Sequence, residues 1–290
     1  MTAVVEHELT TPWEAVLVEP ADGAADGTGV LVLAGSSGRV DRHRAARLAE
    51  QGHLALAVRW FGGPGQPPGI CEVPLETFVA GIDLLRSRGA QRVALLGWSK
   101  GAEAALLTAV HDPRVDAVIA LAPTSLAWCN VGPGHDGQDR PWRSSWTWRG
   151  EPLPFVPMHG DTWEPEGHDG GPVAIRGWYE LSERTHAGRL AAATIPVERA
   201  AAEILLVAGG DDRMWPSLRY AEQLAARRAA GAPVRLVTHP DAGHRIRFPG
   251  EDPAAPSSVF AYGGSDRADA ELGAAAWPLL LDLLDPRRTG

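Results

Sequence analysis

Residues 95–107, LLGWSKGAEAALL, form the stretch that decides the fold. An apolar run breaks at residues 97–101, GWSKG, and resumes as an alanine-rich segment with helical character. A serine between two glycines, where a strand becomes a helix, is typical of a nucleophile elbow. In that turn, strained backbone angles expose the Oγ of Ser99, and the glycines let strand and helix pass closely. Because the chain has 33 glycines, G-x-S-x-G can also arise by chance, so the surrounding pattern has to decide.

Apolar runs typical of strands alternate with helix-like segments along most of the chain. After WEAVLVEP, a predicted edge strand, the predicted strands are GVLVLAG (29–35), HLALAVRW (53–60), RVALLG (92–97), VDAVIALAP (115–123), EILLVAGG (203–210) and VRLVTHP (234–240). The helix-like segments are VDRHRAARLAEQG (40–52), PLETFVAGIDLLRSRG (74–89), the stretch after the elbow, SLRYAEQLAARRAA (217–230) and AAAWPLLLDLL (274–284). This pattern predicts an α/β fold with a mostly parallel central sheet and helices on both faces.

One interval, 124–202, interrupts this alternation. It is far longer than the roughly 30 residues of a single crossover unit, and long insertions in compact domains are usually lids or binding loops. It holds six of the 11 tryptophans: Trp128, Trp142, Trp146, Trp148, Trp163 and Trp178. These side chains can line a pocket for an apolar group, or they can pack the insertion onto the sheet. We predict a Trp-rich lid within a single domain that spans residues 1–290.

Composition and charge limit the class of partner and the compartment. A net charge of −9 argues against nucleic acid or an anionic membrane as the main partner, although a local basic pocket remains compatible with it. Two cysteines, Cys71 and Cys129, cannot form a disulfide framework, and we interpret them as packing residues. The start, MTAVVEHELT, lacks the regions of a signal peptide, and no apolar run is long enough to span a membrane. These features predict a cytoplasmic protein.

A serine nucleophile needs a base and an acid that orients the base, and in elbow-containing folds the acid precedes the histidine in the chain. Asp211 and Asp212 follow the strand EILLVAGG, and His244 follows the strand VRLVTHP. Loops at the carboxyl ends of parallel strands are where such sheets place their active sites. Taken singly, either aspartate can be a helix cap and His244 can be an ordinary loop residue. Three matches in this order predict a catalytic triad.

Several motifs together resemble a known family. They are GWSKGAE, IPVE, GGDDRMWPS, AGHRIRFP and YGGSDRADAELGAAAW. From about residue 28 to the C-terminus, the chain resembles the catalytic domain of acyl-CoA thioesterases and bile acid-CoA:amino acid N-acyltransferases. That group has the α/β-hydrolase fold, with dienelactone hydrolases as more distant relatives. Two departures stand out: the β-sandwich that precedes this domain in two-domain members is expected to be absent, and Asp269 stands where those members have histidine.

The resemblance implies roles for individual residues. Ser99 matches the nucleophile and His244 the base, whereas Asp212 matches the acid because it lies four residues before Pro216. Asp211 is then a turn or capping residue. The expected oxyanion donors are the backbone amide of Lys100 and that of Ser36 or Ser37. The expected substrate contacts are Trp98, Trp146 and Trp148.

Other polar residues carry weaker signals. His135, His159 and His168 lie beside acids, but their spacing fits no recognised ligand pattern, so we predict neither a metal nor a cofactor. Four arginines in one segment can hold the phosphates of coenzyme A or an acidic carrier domain, or can form a solvated helix face. These are Arg39, Arg42, Arg44 and Arg47.

Three functions remain in consideration. The leading one is a serine hydrolase that cleaves an acyl thioester, carried by coenzyme A or by a carrier protein, through an acyl-serine. The second is an acyltransferase that passes the same acyl group to an amine, and the third is a non-catalytic binding protein. An ester or lactone hydrolase is a chemical alternative within the first class. Because no dedicated amine site is evident, we expect water to be the acceptor and the Trp-rich insertion to select acyl groups.

Overall fold

The computed structural model describes residues 2–23, 25–165, 168–228, 232–285 and 287. Within these residues the strands are β1 (Val4–Leu9), β2 (Ala15–Pro20), β3 (Thr28–Leu33), β4 (Leu54–Val58), β5 (Val73–Pro74), β6 (Arg92–Trp98), β7 (Ala117–Leu121), β8 (Trp146–Trp148), β9 (Glu151–Pro152), β10 (Glu203–Gly209) and β11 (Val234–His239). The α-helices are α1 (Arg42–Ala49), α2 (Glu76–Ser87), α3 (Lys100–His111), α4 (Arg176–Thr185), α5 (Ala187–Ala193), α6 (Ser217–Arg228) and α7 (Asp266–Leu284).

Eight strands form the central sheet, in the order β1-β2-β4-β3-β6-β7-β10-β11. β2 runs antiparallel to both of its neighbours, and all other pairs are parallel. The sequence-based prediction of β2 as the edge strand is wrong, because β1 pairs along its whole length. β1 is exposed at four of its six positions, so it lacks the apolar run by which the other strands are predicted.

Helices cover both faces of the sheet, as predicted. Because successive strand residues point to opposite faces, each buried strand supplies two cores. Leu31 and Leu33 of β3 pack on the side of α2, α3 and α6, whereas Val30 and Val32 pack on the side of α1 and α7. The second side is closed by α7, which begins at Asp266, earlier than the predicted helical segment, and continues through a proline.

The elbow has the backbone conformation that the sequence predicts. Ser99 lies between β6 and α3 with φ 57° and ψ −120°, a region that non-glycine residues rarely occupy. A Cβ atom at Gly97 would lie 2.1 Å from the carbonyl oxygen of Gly101. A Cβ atom at Gly101 would lie 2.3 Å from the carbonyl oxygen of Leu33 in the neighbouring strand. Both glycines are therefore required by close backbone approach, as the geometry of a nucleophile elbow demands.

The interval 124–202 packs as an additional layer rather than as a separate cover. β8 and β9 join β5 in a small three-stranded sheet. Apolar residues of the interval, among them Trp128 and Tyr179, form a third cluster together with Trp215 and Tyr220 from outside it. Among the described residues, no helix is long and apolar enough to cross a membrane.

We predict that Gly101→Ala destabilises the fold by at least about 3 kcal/mol, because the new methyl group would overlap backbone atoms that cannot rotate away. The control is Gly188→Ala in α5, where an added Cβ atom would have nothing within 4 Å. That change should be neutral or stabilise by up to about 1 kcal/mol through helix propensity. Denaturant unfolding of both variants measures the difference. Similar midpoints for the two would contradict the packing argument.

Candidate active site

Four loops meet at the carboxyl ends of the parallel strands. The loop after β3 carries Gly35, the turn after β6 carries Ser99, the loop after β10 carries Asp212, and the loop after β11 carries His244. A Cβ atom at Gly35 would lie 3.2 Å from the Cβ atom of Ser99, so the first two loops are in contact. The Ser99 amide donates to the carbonyl of Leu121 at 2.9 Å, which ties the turn to the neighbouring strand. The sheet thus brings these predicted residues to one edge.

Asp212 and His244 form a buried pair. The Oδ2 atom of Asp212 lies 2.8 Å from Nδ1 of His244, and the two side chains are 0% and 2% exposed. The other oxygen, Oδ1, accepts from the amides of Met214 at 2.8 Å and Trp215 at 3.3 Å. The carboxylate is fixed by the turn that follows β10, and it engages Nδ1 of the imidazole. Nε2 is therefore the ring nitrogen that remains for another partner.

The neighbouring aspartate has a different environment. Oδ2 of Asp211 accepts from the amide of Gly264 at 2.8 Å, and Oδ1 lies 3.2 Å from Nε of Arg213. Asp211 therefore holds the turn that precedes α7 and does not contact the imidazole in the same way. Asp212 is thus the aspartate that contacts His244, and its role as the catalytic acid stays a prediction.

Aromatic rings surround His244. The Nε1 atom of Trp98 donates to the backbone carbonyl of His244 at 2.8 Å. The ring centroids of Trp98 and Trp215 each lie 5.7 Å from the imidazole centroid, and that of Tyr262 lies 6.0 Å away. Trp215 packs edge-on against Tyr179 of the insertion at 5.5 Å. Tyr179 of the insertion therefore supports the imidazole through Trp215, by two edge-on aromatic contacts.

Asp269, which departs from the family pattern, lies beside this histidine. Its Oδ1 atom accepts from the amide of Gly243 at 2.7 Å, one residue before His244. Burial raises the pKa of the Asp269 carboxyl above its usual range, although the Gly243 amide opposes this shift. The carboxyl group thus holds the loop of the histidine from the start of α7. The sequence marks the position as unusual but gives no sign of this long-range contact.

An open cavity of about 1220 Å³ lies above these residues. Ser36, Ser37, Trp98, Ser99 and His244 line it, as their predicted roles require. Its rim carries five arginines and several acids. The arginines are Arg39, Arg44, Arg213, Arg245 and Arg247.

The four arginines of residues 39–47 differ in their contacts. Arg44 reaches Glu251 at 2.8 Å and lies 5.8 Å from the Trp98 ring, whereas Arg42 binds Glu6 and Glu8 on β1. Arg39 is exposed at the rim. The remaining member, Arg47, binds Glu50.

Lys100 turns its side chain away from the cavity. Its Nζ atom lies 2.8 Å from Oε2 of Glu103, and the two side chains are 1% and 0% exposed. Oε1 of Glu103 accepts from the amide of Trp128 at 2.9 Å and from Nε1 of Trp146 at 2.7 Å. One buried carboxylate therefore joins the first turn of α3 to two tryptophans of the insertion. Sequence analysis missed this role of Glu103, and the only available signal was the Lys-x-x-Glu spacing in a helix otherwise rich in alanine.

The predicted substrate contacts of Trp146 and Trp148 require correction. Trp146 is fully buried against Trp60 and Phe78 and does not line the cavity. Trp148 stacks on His111 with ring centroids 4.9 Å apart, at the opposite end of α3 from Ser99. With a rise of about 1.5 Å per residue, α3 separates Trp148 from the nucleophile by roughly 18 Å. Both side chains pack the insertion onto the domain, which was the alternative interpretation of the tryptophans.

The remaining candidates are the histidines beside acids and the two cysteines. In the described part of the chain, no group of three or more His, Cys, Asp or Glu residues is arranged to hold a metal ion. His135 is exposed, and Nδ1 of His159 contacts Thr185 at 3.1 Å. Burial raises the pKa of Cys71 to about 11 and that of Cys129 to about 12. Thiols with such a high pKa are poor nucleophiles at neutral pH, which agrees with a packing role.

Comparison with known proteins identifies the family. Residues 73–286 match the family model described as "BAAT / Acyl-CoA thioester hydrolase C terminal". The chain belongs to this family. The resemblance inferred from the motifs is therefore confirmed.

The relatives of this family member include both hydrolases and transferases. Human acyl-coenzyme A thioesterase 6 is 27% identical over 287 residues, covering 91% of this chain and 60% of that protein. Mouse acyl-coenzyme A amino acid N-acyltransferase 2 is 26% identical over 227 residues, covering 76% of this chain and 49% of that protein. The chain thus spans about half to three fifths of the length of these curated relatives.

Solved structures show the fold of this family member. A candidate dienelactone hydrolase from Klebsiella pneumoniae is similar with a TM-score of 0.55 at 18% identity, covering 98% of this chain and 99% of the other. A dienelactone hydrolase-like promiscuous phosphotriesterase from metagenomic libraries has a TM-score of 0.53 at 16% identity, covering 98% and 97%. The predicted α/β-hydrolase fold is confirmed.

We predict that Glu103→Ala costs about 3–5 kcal/mol of unfolding free energy, because it leaves the Lys100 ammonium group buried without its partner. It also removes the acceptor of two N–H groups. The control is Glu271→Ala, which removes solvent-accessible contacts with Arg267 and His239 on the surface of α7 and should leave the unfolding midpoint nearly unchanged. Thermal and denaturant unfolding compare the two. A Glu103→Ala variant as stable as the control would contradict the proposed weight of this pair.

Proposed function

We propose that this protein is a serine-dependent hydrolase that cleaves acyl-CoA thioesters through an acyl-serine intermediate. The observation that carries the proposal is the buried Asp212–His244 pair, which shares one cavity edge with the strained Ser99. The family of the chain, and its likeness to acyl-coenzyme A thioesterases, support the thioester as the bond that is cleaved.

In this proposal His244 acts as the general base. Because Nδ1 is engaged by Asp212, Nε2 accepts the hydroxyl proton of Ser99 as Oγ attacks the thioester carbon. The carboxylate stabilises the imidazolium that forms. Collapse of the tetrahedral intermediate breaks the carbon–sulfur bond, and the imidazolium returns its proton to the departing thiolate. Water, deprotonated by His244, then hydrolyses the acyl-serine and restores the hydroxyl group.

The developing oxyanion needs fixed donors. We assign this role to the backbone amide of Lys100, the first residue of α3, where helix N–H groups have no intrahelical acceptor. The second donor comes from the loop after β3, at Ser36 or Ser37, which lines the same cavity. Each such donor is worth about 3 kcal/mol in related chemistry. The Lys100–Glu103 pair contributes by holding the side chain of Lys100 away from the reacting atoms.

The cavity suits a large anionic thioester. Its volume of about 1220 Å³ exceeds the roughly 300–1,000 Å³ of common ligand pockets. Arg39 is exposed at the rim and makes no ion pair with another residue in the described ranges, so it is available for a phosphate group. A local cation of this kind offsets the net charge of −9 when a polyanion approaches. Coenzyme A is therefore the carrier that we favour over an acyl-carrier protein.

A second candidate function, transfer of the acyl group to an amine, is favoured by one observation. The family contains proteins named as amino acid N-acyltransferases, and one of them is about as similar to this chain as the thioesterases are. Both reactions share the acyl-serine and differ only in the acceptor. Product analysis separates them.

We predict that the wild-type protein releases free coenzyme A and free carboxylic acid from acyl-CoA, and that Ser99→Ala lowers kcat by more than about 10⁴-fold. Thiol release and acid formation are followed together, with and without glycine or taurine, and oxygen esters are assayed in parallel. A normal unfolding midpoint for the variant serves as the fold control. Retention of a tenth of the activity by the variant would rule out Ser99 as the nucleophile. Conversion of most of the product to amide would show that the protein is an acyltransferase.

Asp212→Asn and Asp211→Asn form a matched pair of neighbouring isosteric changes. The first removes the negative charge that orients His244, and we expect it to lower kcat by about 10³- to 10⁴-fold. The second leaves the imidazole contact intact and alters the hydrogen bond to Gly264 and the ion pair with Arg213, so a loss of less than about tenfold is expected. Steady-state kinetics on one acyl-CoA give both values. Equal losses, or a larger loss in Asp211→Asn, would show the acid to be misassigned.

A further inference from the structure

The cavity has an apolar side that no predicted residue accounts for. Most of it comes from residues 253–262, PAAPSSVFAY, which we call the cavity-wall segment. Its members that line the cavity are Pro253, Ala254, Ala255, Pro256, Ser257, Phe260, Ala261 and Tyr262. From the interval 124–202, only Pro172 lines it in the described part of the chain. The apolar lining of the cavity therefore comes mainly from a different segment than the tryptophans of the insertion.

Phe260 is the largest apolar side chain of this segment that remains open to water. It is 36% exposed, and it faces the cavity that holds Ser99 and His244. An apolar ring in a water-filled cleft gains free energy in proportion to the area that an apolar ligand covers. The surrounding proline and alanine side chains add small apolar surfaces without charge. This part of the cavity has the chemistry of a site for a hydrocarbon chain.

Arg245, which directly follows the proposed base, holds the cavity-wall segment at two points. Its Nη1 atom donates to the carbonyl of Ala255 at 2.6 Å, and its guanidinium lies 3.8 Å from the centre of the Tyr262 ring. The amide of His244 also donates to the carbonyl of Tyr262 at 2.9 Å. The segment and the histidine loop are thus held together at fixed spacing.

The insertion holds the same segment from the other side. The amide of Val173 donates to the carbonyl of Val259 at 2.8 Å, and the amide of Ala261 donates to the carbonyl of Val173 at 2.9 Å. Within the segment, Oγ of Ser257 accepts from the amide of Phe260 at 3.0 Å. The backbone on both sides of Phe260 is therefore hydrogen-bonded, and the ring projects from a defined position.

We propose that the cavity-wall segment, with Phe260 as its main contact, receives the acyl chain of the substrate and sets the preference for chain length. In this arrangement Arg245 is a positioning residue that keeps the wall in register with His244. The inference rests on the proposed function. It assigns selection of the acyl group to residues 253–262 instead of the tryptophans of the insertion, and it leaves Arg39, which lines the same cavity, for the anionic part of the thioester.

The test compares palmitoyl-CoA with acetyl-CoA. In Phe260→Ala, the ratio of kcat/KM for the long chain to that for the short chain should fall about tenfold, since a long chain loses the contact and an acetyl group does not reach it. The matched control is Leu236→Ala, a large apolar side chain on β11 that is 39% exposed and does not line the cavity. Its ratio should equal that of the wild type.

Arg245→Met tests the positioning role. It should lower the same ratio by making the long-chain KM rise more than the acetyl-CoA KM, a selective effect that general destabilisation does not produce. An unchanged ratio in Phe260→Ala, or a tenfold fall in Trp148→Ala instead, would overturn the inference while Ser99-dependent turnover still supports the proposed function. If the wild-type protein released no coenzyme A from either substrate, the proposed function itself would fail.

Discussion

The close backbone contact between the elbow and strand β3 is the constraint on which the rest of the site depends. Gly101 lies against the carbonyl groups of Leu33 and Ala34 with no room for a side chain. This contact brings α3 down onto the sheet and forces Ser99 into a positive φ. Strain of this kind costs about 1–3 kcal/mol and persists only where the surrounding structure over-determines it. Here the amide of Ser99 is bonded to the next strand, and the loop after β3 packs against its Cβ atom.

Around this turn, acidic side chains perform three separate tasks. Asp212 orients the imidazole, Asp211 holds the turn before α7, and Asp269 holds the residue before the histidine. Asp211 and Asp269 use carboxylate oxygens to accept backbone amides, so the histidine loop and the start of α7 are joined without a direct strand contact. His244, the base in the proposed mechanism, therefore lies in a frame fixed on several sides, which lowers the reorganisation that the proposed reaction needs.

Much of the fold could be predicted from the sequence, because the patterns that decide it lie within short stretches of the chain. The buried strands are continuous apolar runs, and the elbow is a pattern of five residues whose geometry depends on its own glycines. Asp212 could be distinguished from Asp211 by its distance from Pro216. β1 was missed because most of its side chains face solvent. The positions of Trp146 and Trp148 could not be predicted, because tryptophan serves core packing and ligand binding equally well, and only the tertiary contacts with Phe78 and His111 decide between them.

The two hydrogen bonds between Glu103 and the insertion have a consequence for the engineering of this domain. The carboxylate of Glu103 is neutralised and solvated by groups that come from both α3 and the insertion. Residues 124–202 therefore supply part of the surroundings that the buried carboxylate needs. A shortened version of the domain that lacked them would leave an acidic side chain in an apolar interior with two of its three donors gone. A viable shortening therefore has to replace Glu103 and Lys100 together with apolar residues, so the insertion and these two helix residues have to be redesigned as one unit.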